Sequence, residues 1–153
     1  MERMDVTMQL LIKRLREDAK LPKRATKGSA GYDLCACLDA PEEIAPGQTK
    51  LIPTGIALAL PDHSAAAFLY ARSGLASKAG LAPANCVGVV DSDYRGEVKV
   101  PLHNHSEKAY TVSPGERIAQ MVIAPVFTPE LVEVNELENT ARADGGFGST
   151  GRS

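Results

Sequence analysis

Two stretches of the chain carry residue types that could do chemistry. Arg72-Ser-Gly-Leu-Ala76 follows an apolar run and opens a short helical pattern. A guanidinium fork, a hydroxyl and exposed backbone N–H groups at a helix start together make an anion site, although Arg-Ser-Gly is also an ordinary surface turn. The segment Asn85-Cys-Val-Gly-Val-Val-Asp-Ser-Asp-Tyr-Arg-Gly-Glu97 reads as a hairpin bearing two carboxylates, Asp91 and Asp93. Two residues apart, they would share one face of a strand but need not do so on a tight turn, and only one is expected to be catalytic. The plainer reading is a solvated turn, since Asp, Ser and Gly are the usual turn formers.

Three further stretches are weaker taken singly. Ala25-Thr-Lys-Gly-Ser-Ala-Gly-Tyr-Asp-Leu34 allows close backbone approach and ends near a single carboxylate, Asp33, but also reads as a Gly-containing turn entering a strand. Pro114-Gly-Glu-Arg-Ile-Ala-Gln-Met-Val122 puts Arg117 and Gln120 at a strand start. Arg142-Ala-Asp-Gly-Gly-Phe-Gly-Ser-Thr-Gly151 sets one aromatic residue and two hydroxyls in a Gly-rich tail with no obvious core for Phe147. His103 and His105 form a His-x-His pair, yet two zinc ligands without a nearby third favour a structural role. Cys35 and Cys37 read as small core residues on one strand face.

The elements that must position these residues are mostly strands. Short apolar runs broken by Pro and Gly recur throughout, the pattern of an all-β domain. The runs predict strands over Gln9–Leu15, Thr49–Leu60, Ala65–Ala71, Glu97–Leu102, Arg117–Val126 and Leu131–Val134, with breaks at Pro46-Gly47, Pro61-Asp62 and Pro114-Gly115. In the fourth, Val98, Val100 and Leu102 should face one way and Lys99 and Pro101 the other. Leu75–Gly80 alone suggests a short helix. Glycine raises the cost of ordering the end of the chain, so residues 142–153 are expected to be a flexible segment attached to one β domain over residues 1–141.

With 153 residues, the chain has room for one domain and a real core. Hydrophobic residues at 44% and charged residues at 24% match an ordinary globular protein. A formal net charge of −2 gives no general attraction for nucleic acid polymers or anionic membranes, so any phosphate site must be local. Three cysteines without a C-x-x-C pair point to a reducing compartment. Neither a leader-like start nor a membrane-length apolar run is visible, which leads to the expectation of a cytoplasmic protein.

In order and spacing, the five stretches resemble the motifs of the homotrimeric dUTPase family from about Lys20 to Gly151. The resemblance implies a β jelly roll with one short helix, assembled as a homotrimer with active sites at subunit boundaries. It implies hydrolysis of dUTP to dUMP and pyrophosphate, lowering dUTP and supplying dUMP for thymidylate synthesis. Asp91 would be the general base for a water attacking the α-phosphorus. Asn85 and the backbone around Val89, Val90 and Lys99 would bind uracil, and Tyr94 would lie under the deoxyribose and exclude a 2′-hydroxyl. Arg72, Ser73, Gly74 and Gln120 would hold phosphates from a neighbouring subunit. The tail would close as a lid, with Phe147 over the base, Arg142, Ser149 and Thr150 on phosphates, and Gly148 also among the substrate-binding residues. Mg²⁺ would be held by the triphosphate and water rather than directly by protein, with Asp33 acting through water or by fixing the site. One departure stands out: the family pattern has Gly after the motif's Arg, where this chain has Ala143. The fold is shared with deoxycytidine triphosphate deaminases, but the Tyr94 segment and the Phe147 tail point away from deamination, and intact Asp91, Arg72 and Phe147 point away from a catalytically silent regulatory trimer.

Overall fold

A computed structural model describes residues 8–146. Their elements run β1 (Leu11–Arg14), β2 (Tyr32–Cys35), β3 (Glu42–Ile44), β4 (Thr49–Pro53), β5 (Ile56–Ala59), β6 (Ala65–Tyr70), α1 (Ser73–Ala79), β7 (Leu81–Pro83), β8 (Gly88–Val90), β9 (Lys99–Asn104), β10 (Tyr110–Val112) and β11 (Arg117–Pro125). Every recorded strand ladder is antiparallel. One sheet has the order β2-β11-β6-β8 and a second β4-β9-β7, while β1 pairs with β5 and β10 with β3. This is a β jelly-roll architecture with one short helix, as expected.

Alternation builds the core. Val98, Val100 and Leu102 are buried while Lys99 is exposed, so the run around β9 turns one face inward as its spacing predicts. They meet Ile52, Ile56, Leu34, Ile118 and Met121 from other strands in one apolar cluster. Each such side chain contributes roughly 1.5–3 kcal/mol when fully buried. Among the described residues Asn104, at 0% exposure, is one of two buried polar residues, with Thr54. Its amide donates to the carbonyls of Ile44 (2.9 Å) and Lys108 (2.7 Å), so burial leaves no unmet donor and ties β9 to β3.

Four sequence expectations are corrected. The single strand over Thr49–Leu60 is two, because Gly55 adopts φ +69° and a Cβ there would come within 2.7 Å of Cys37 Sγ. The chain turns at Thr54–Gly55 while Glu97 accepts the Gly55 N–H at 2.9 Å. Leu131–Val134 is not a strand: Leu131, Val132 and Val134 are 92, 72 and 54% exposed and pair with no described element. Apolar propensity cannot make a strand without an edge to bond. The helix begins at Ser73 rather than Leu75, with Arg72 as its N-cap and Gly80 as its C-cap. Finally, Asn85–Glu97 is no hairpin of two paired strands. β8 bonds to β6 and β9 to β4 and β7, so the Asp91–Val98 connection crosses from one sheet to the other.

Candidate active site

Strand order brings the first group of polar residues together. β11 lies between β2 and β6, and its register sets Gln120 beside both Asp33 and Tyr70. A register shift between Arg117 and Ala119 against β2 marks a bulge. The bulge resets the alternation, so Arg117 and Gln120, three residues apart, both serve the Asp33 side. Asp33 is 19% exposed and accepts Arg72 Nε at 3.0 Å and Arg117 Nη1 at 3.3 Å. The Arg72 contact is the stronger of the two, being shorter and less exposed (27% against 55% for the arginine). It occupies Nε and leaves the terminal Nη groups of Arg72 for an anion. Gln120 Nε2 donates to the Ala71 carbonyl at 2.9 Å. Its Oε1 packs on Gly31, where a Cβ would sit only 2.5 Å away, so a side chain at this position in the Gly-Ser-Ala-Gly turn would displace Gln120. Ser29, Ala30, Gly31, Asp33, Arg72, Ser73, Gly74 and Gln120 line a cavity of about 270 Å³ rich in donors. A larger cavity of about 940 Å³ adjoins it through Ala25 and Asp33, but contains neither the Arg72-Ser-Gly turn nor Gln120.

The second group forms a separate slot of about 200 Å³ lined by Leu69, Asn85, Gly88, Val89, Val90, Asp91, Tyr94 and Lys99. Its floor is the β6–β8 ladder, with Phe68 opposite Val89 and Leu69 opposite Gly88. Its rim is the turn after β8. There the Tyr94 N–H donates to the Asp91 carbonyl (3.2 Å), the Tyr94 hydroxyl to the Glu97 carbonyl (3.0 Å) and Arg95 to the Ser92 carbonyl (2.7 Å). Asp91 and Tyr94 are both exposed on that rim. The slot gathers a carboxylate, an aromatic ring and an exposed carboxamide around a narrow cleft. The two cavities share no lining residue, so the fold keeps these two groups of residues apart on one chain.

A sequence profile of the dUTPase family matches residues 17–151. The chain belongs to the dUTPase family. It is similar to deoxyuridine 5′-triphosphate nucleotidohydrolase of Idiomarina loihiensis, with 51% identity over 97% of this chain and 98% of that one. A mutant dUTPase of Staphylococcus bacteriophage 80alpha, solved with dUpNHpp, superposes with a TM-score of 0.85 at 30% identity, covering 94% of this chain and 99% of the other. A mutant dUTPase from phage phi11 of S. aureus, described as coordinating a structural Mg(II) ion, gives a TM-score of 0.76 at 27% identity over 86 and 99% of the two chains.

Within this dUTPase fold, most residues singled out from sequence line one or other of the two cavities. Arg72, Ser73, Gly74, Gln120 and Asp33 are in the first; Asn85, Val89, Val90, Asp91, Tyr94 and Lys99 are in the second. Arg142 lies in neither and donates its Nε to the Gly145 carbonyl at 2.7 Å in a turn of its own. Phe147, Gly148, Ser149 and Thr150 lie outside the described residues. Arg117 is the residue beside Asp33 that sequence reasoning undervalued. Its partnership with Asp33 depends on the β11 bulge, which no residue type announces. His103 accepts or donates through Nδ1 to Thr49 Oγ1 at 2.8 Å and meets the His105 ring edge-on at 4.4 Å, away from both cavities. Cys37 is buried and Cys35 half-buried, and burial pushes both thiols up.

Among the described residues, no three His, Cys, Asp or Glu side chains gather into a set able to hold a metal ion. Asp33, committed to two arginines, is better placed to aim those arginines than to ligate a cation directly. This pocket therefore offers donors for phosphate oxygens rather than a ligand set for a bare cation, and a metal there would have to be held by other oxygens.

Proposed function

We propose that this chain hydrolyses dUTP to dUMP and pyrophosphate, with Asp91 as the general base. The observation that carries the reading is the placement of the Asp91 carboxylate on the rim of a slot containing Asn85, Val89, Val90 and Tyr94. Uracil fits that slot, with Asn85 and the strand backbone around Val89, Val90 and Lys99 meeting its polar edge. The Tyr94 ring packs against deoxyribose. A water held by Asp91 gives its proton to the carboxylate as its oxygen attacks the α-phosphorus; the bond to the bridging oxygen breaks in line, and pyrophosphate leaves. Arg72, Ser73, the Gly74 backbone and Gln120 hold the phosphates, and Asp33 keeps Arg72 and Arg117 aimed. Mg²⁺ bound to the triphosphate would neutralise charge on the phosphate oxygens.

The site is completed by assembly. Base-binding and phosphate-binding residues occupy separate cavities on one chain, so a homotrimer that joins one subunit's slot to a neighbour's pocket supplies a whole site. The segment after β11 supports this reading. Phe127, Leu131 and Leu137 are 96, 92 and 86% exposed there, an apolar strip suited to a second copy. Residues 142–153 would then act as the lid, bringing Arg142, Phe147, Gly148, Ser149 and Thr150 to the bound nucleotide. The enzyme works in the cytoplasm, in keeping with its three unpaired cysteines, and its partners are dUTP and its own copies rather than nucleic acid polymers or membranes. Among the described residues no helix is long and apolar enough to cross a membrane.

Product analysis tests the activity: dUTP with Mg²⁺ should give dUMP and pyrophosphate in equal amounts, and release of ammonia from dCTP, or binding without turnover, would overturn the reading. Tyr94→Ala in the same assay should erode discrimination against UTP by roughly tenfold or more, because the ring that crowds the 2′ position is gone. If UTP is rejected as well as by the parent, another group excludes the hydroxyl.

Ala143 makes the lid unusual. It has φ +46°, in the left-handed region where a Cβ costs roughly 1–2 kcal/mol. The backbone of this turn therefore wants the glycine that the family pattern carries. Ala143→Gly should raise kcat/KM for dUTP by about fivefold, the equivalent of roughly 1 kcal/mol. Steady-state kinetics decide it, and an unchanged kcat/KM would mean the turn does not limit lid closure.

A further inference from the structure

We propose that His63 is a positioning residue for the turn that carries Asp91, acting through the Ser92 hydroxyl. The inference rests on the reading of Asp91 as general base. His63 belongs to the loop between β5 and β6, remote in sequence from that turn, yet its Nδ1 lies 2.8 Å from Ser92 Oγ. Strand pairing brings them together: β6 runs antiparallel to β8 with Ala67 opposite Val90, so the loop entering β6 meets the turn leaving β8. The loop itself is held. Asp62 accepts the Ser64 N–H at 2.7 Å and also the Ser64 hydroxyl, and these bonds hold its carboxyl below the usual carboxylate range.

The turn's other side-chain bonds run within itself. Arg95 donates to the Ser92 and Tyr94 carbonyls (2.7 and 3.1 Å) and Tyr94 to the Glu97 carbonyl (3.0 Å). These fix its shape but do not say where the turn sits on the sheet. Among the described residues, the recorded side-chain hydrogen bond from Asp91–Gly96 to another element is the one to His63. Ser92 is the neighbour of Asp91, so this tie restrains the backbone from which the carboxylate projects. A general base must keep its water within hydrogen-bond reach, and small displacements are costly to rate. A serine hydroxyl both donates and accepts, so the bond forms with neutral or protonated imidazole.

The test compares variants in the full-length enzyme with dUTP and Mg²⁺. His63→Phe keeps a planar, slightly larger ring and removes the nitrogen; kcat should fall roughly three- to tenfold, the worth of one hydrogen bond, with KM unchanged. Ser92→Ala should match it, and the double variant should lose no more than either single one. His63→Gln, whose side-chain amide can still bond the hydroxyl, should recover most of the loss. Amide exchange at Tyr94, bonded to the Asp91 carbonyl, should quicken in His63→Phe and Ser92→Ala alike. Parent-like kcat in His63→Phe, a loss carried by KM, or losses that multiply in the double variant would overturn the proposal. Asp91→Asn run in parallel separates the two readings: if it keeps parental turnover, the base assignment has failed, and the tie itself is then judged by the Tyr94 exchange, which overturns it if unchanged.

Discussion

Asp91→Asn should lower kcat for dUTP by about 10²–10⁴-fold while leaving affinity for a non-hydrolysable dUTP analogue within a few-fold of the parent. The substitution keeps the size of the side chain and removes only its ability to take a proton. The local fold should survive, because what holds the turn is the Asp91 carbonyl accepting the Tyr94 N–H, Tyr94 bonding to Glu97 and Arg95 bonding to Ser92. None of these bonds uses the Asp91 carboxylate. Asp33 provides the contrast. Its carboxylate holds Arg72 and Arg117, so losing its charge would release two cations at once and should show as weaker phosphate binding. Single-turnover rates together with equilibrium binding of the analogue separate these effects. An Asp91→Asn enzyme that turns over normally, or one that fails only because it no longer binds, would remove Asp91 from the role of base.

Ending the chain after Ala141 should cost kcat/KM about 10²–10⁴-fold and shift the melting temperature by no more than a few degrees. The loss is the sum of two contributions proposed for the lid. Stacking of Phe147 on uracil is worth roughly 1–3 kcal/mol. Hydrogen bonds to charged phosphates from Arg142, Ser149 and Thr150 add roughly 1.5–3 kcal/mol each, offset by about 1 kcal/mol or more per residue ordered. Stability should hardly respond, because the apolar cluster is built from residues between Leu10 and Ile123 and includes none beyond. Assembly should also persist, since the exposed apolar strip from Phe127 to Leu137 is retained. Kinetics, thermal melting and sedimentation of the truncated protein check the three expectations. A truncated enzyme as fast as the full chain would mean that residues 142–153 are not a lid.

The motifs are written locally, so the sequence alone located them. Small residues, an arginine and a hydroxyl in Arg72-Ser-Gly, and Asp, Tyr and Gly in the segment after Val90, have to be contiguous because one short turn must present them together. The alternation of Val98, Val100 and Leu102 likewise needs no partner to be legible, since a strand's period of two follows from its own backbone. What the sequence left undecided depended on pairing. Whether Leu131–Val134 is a strand is set by an edge that a single chain does not offer it. Whether Val89 and Lys99 sit on one hairpin or in two sheets is set by β6 on one side and β4 and β7 on the other. The bulge that brings Arg117 to Asp33, and the register that brings His63 to Ser92, appear only when distant strands align. The sequence by itself determined the class of the fold, the family and the residues of each motif. The tertiary structure decided that the group around Arg72 and Gln120 and the group around Asn85 and Lys99 fall in separate cavities, because hydrogen-bonded neighbours in a sheet are fixed by register rather than by distance along the chain.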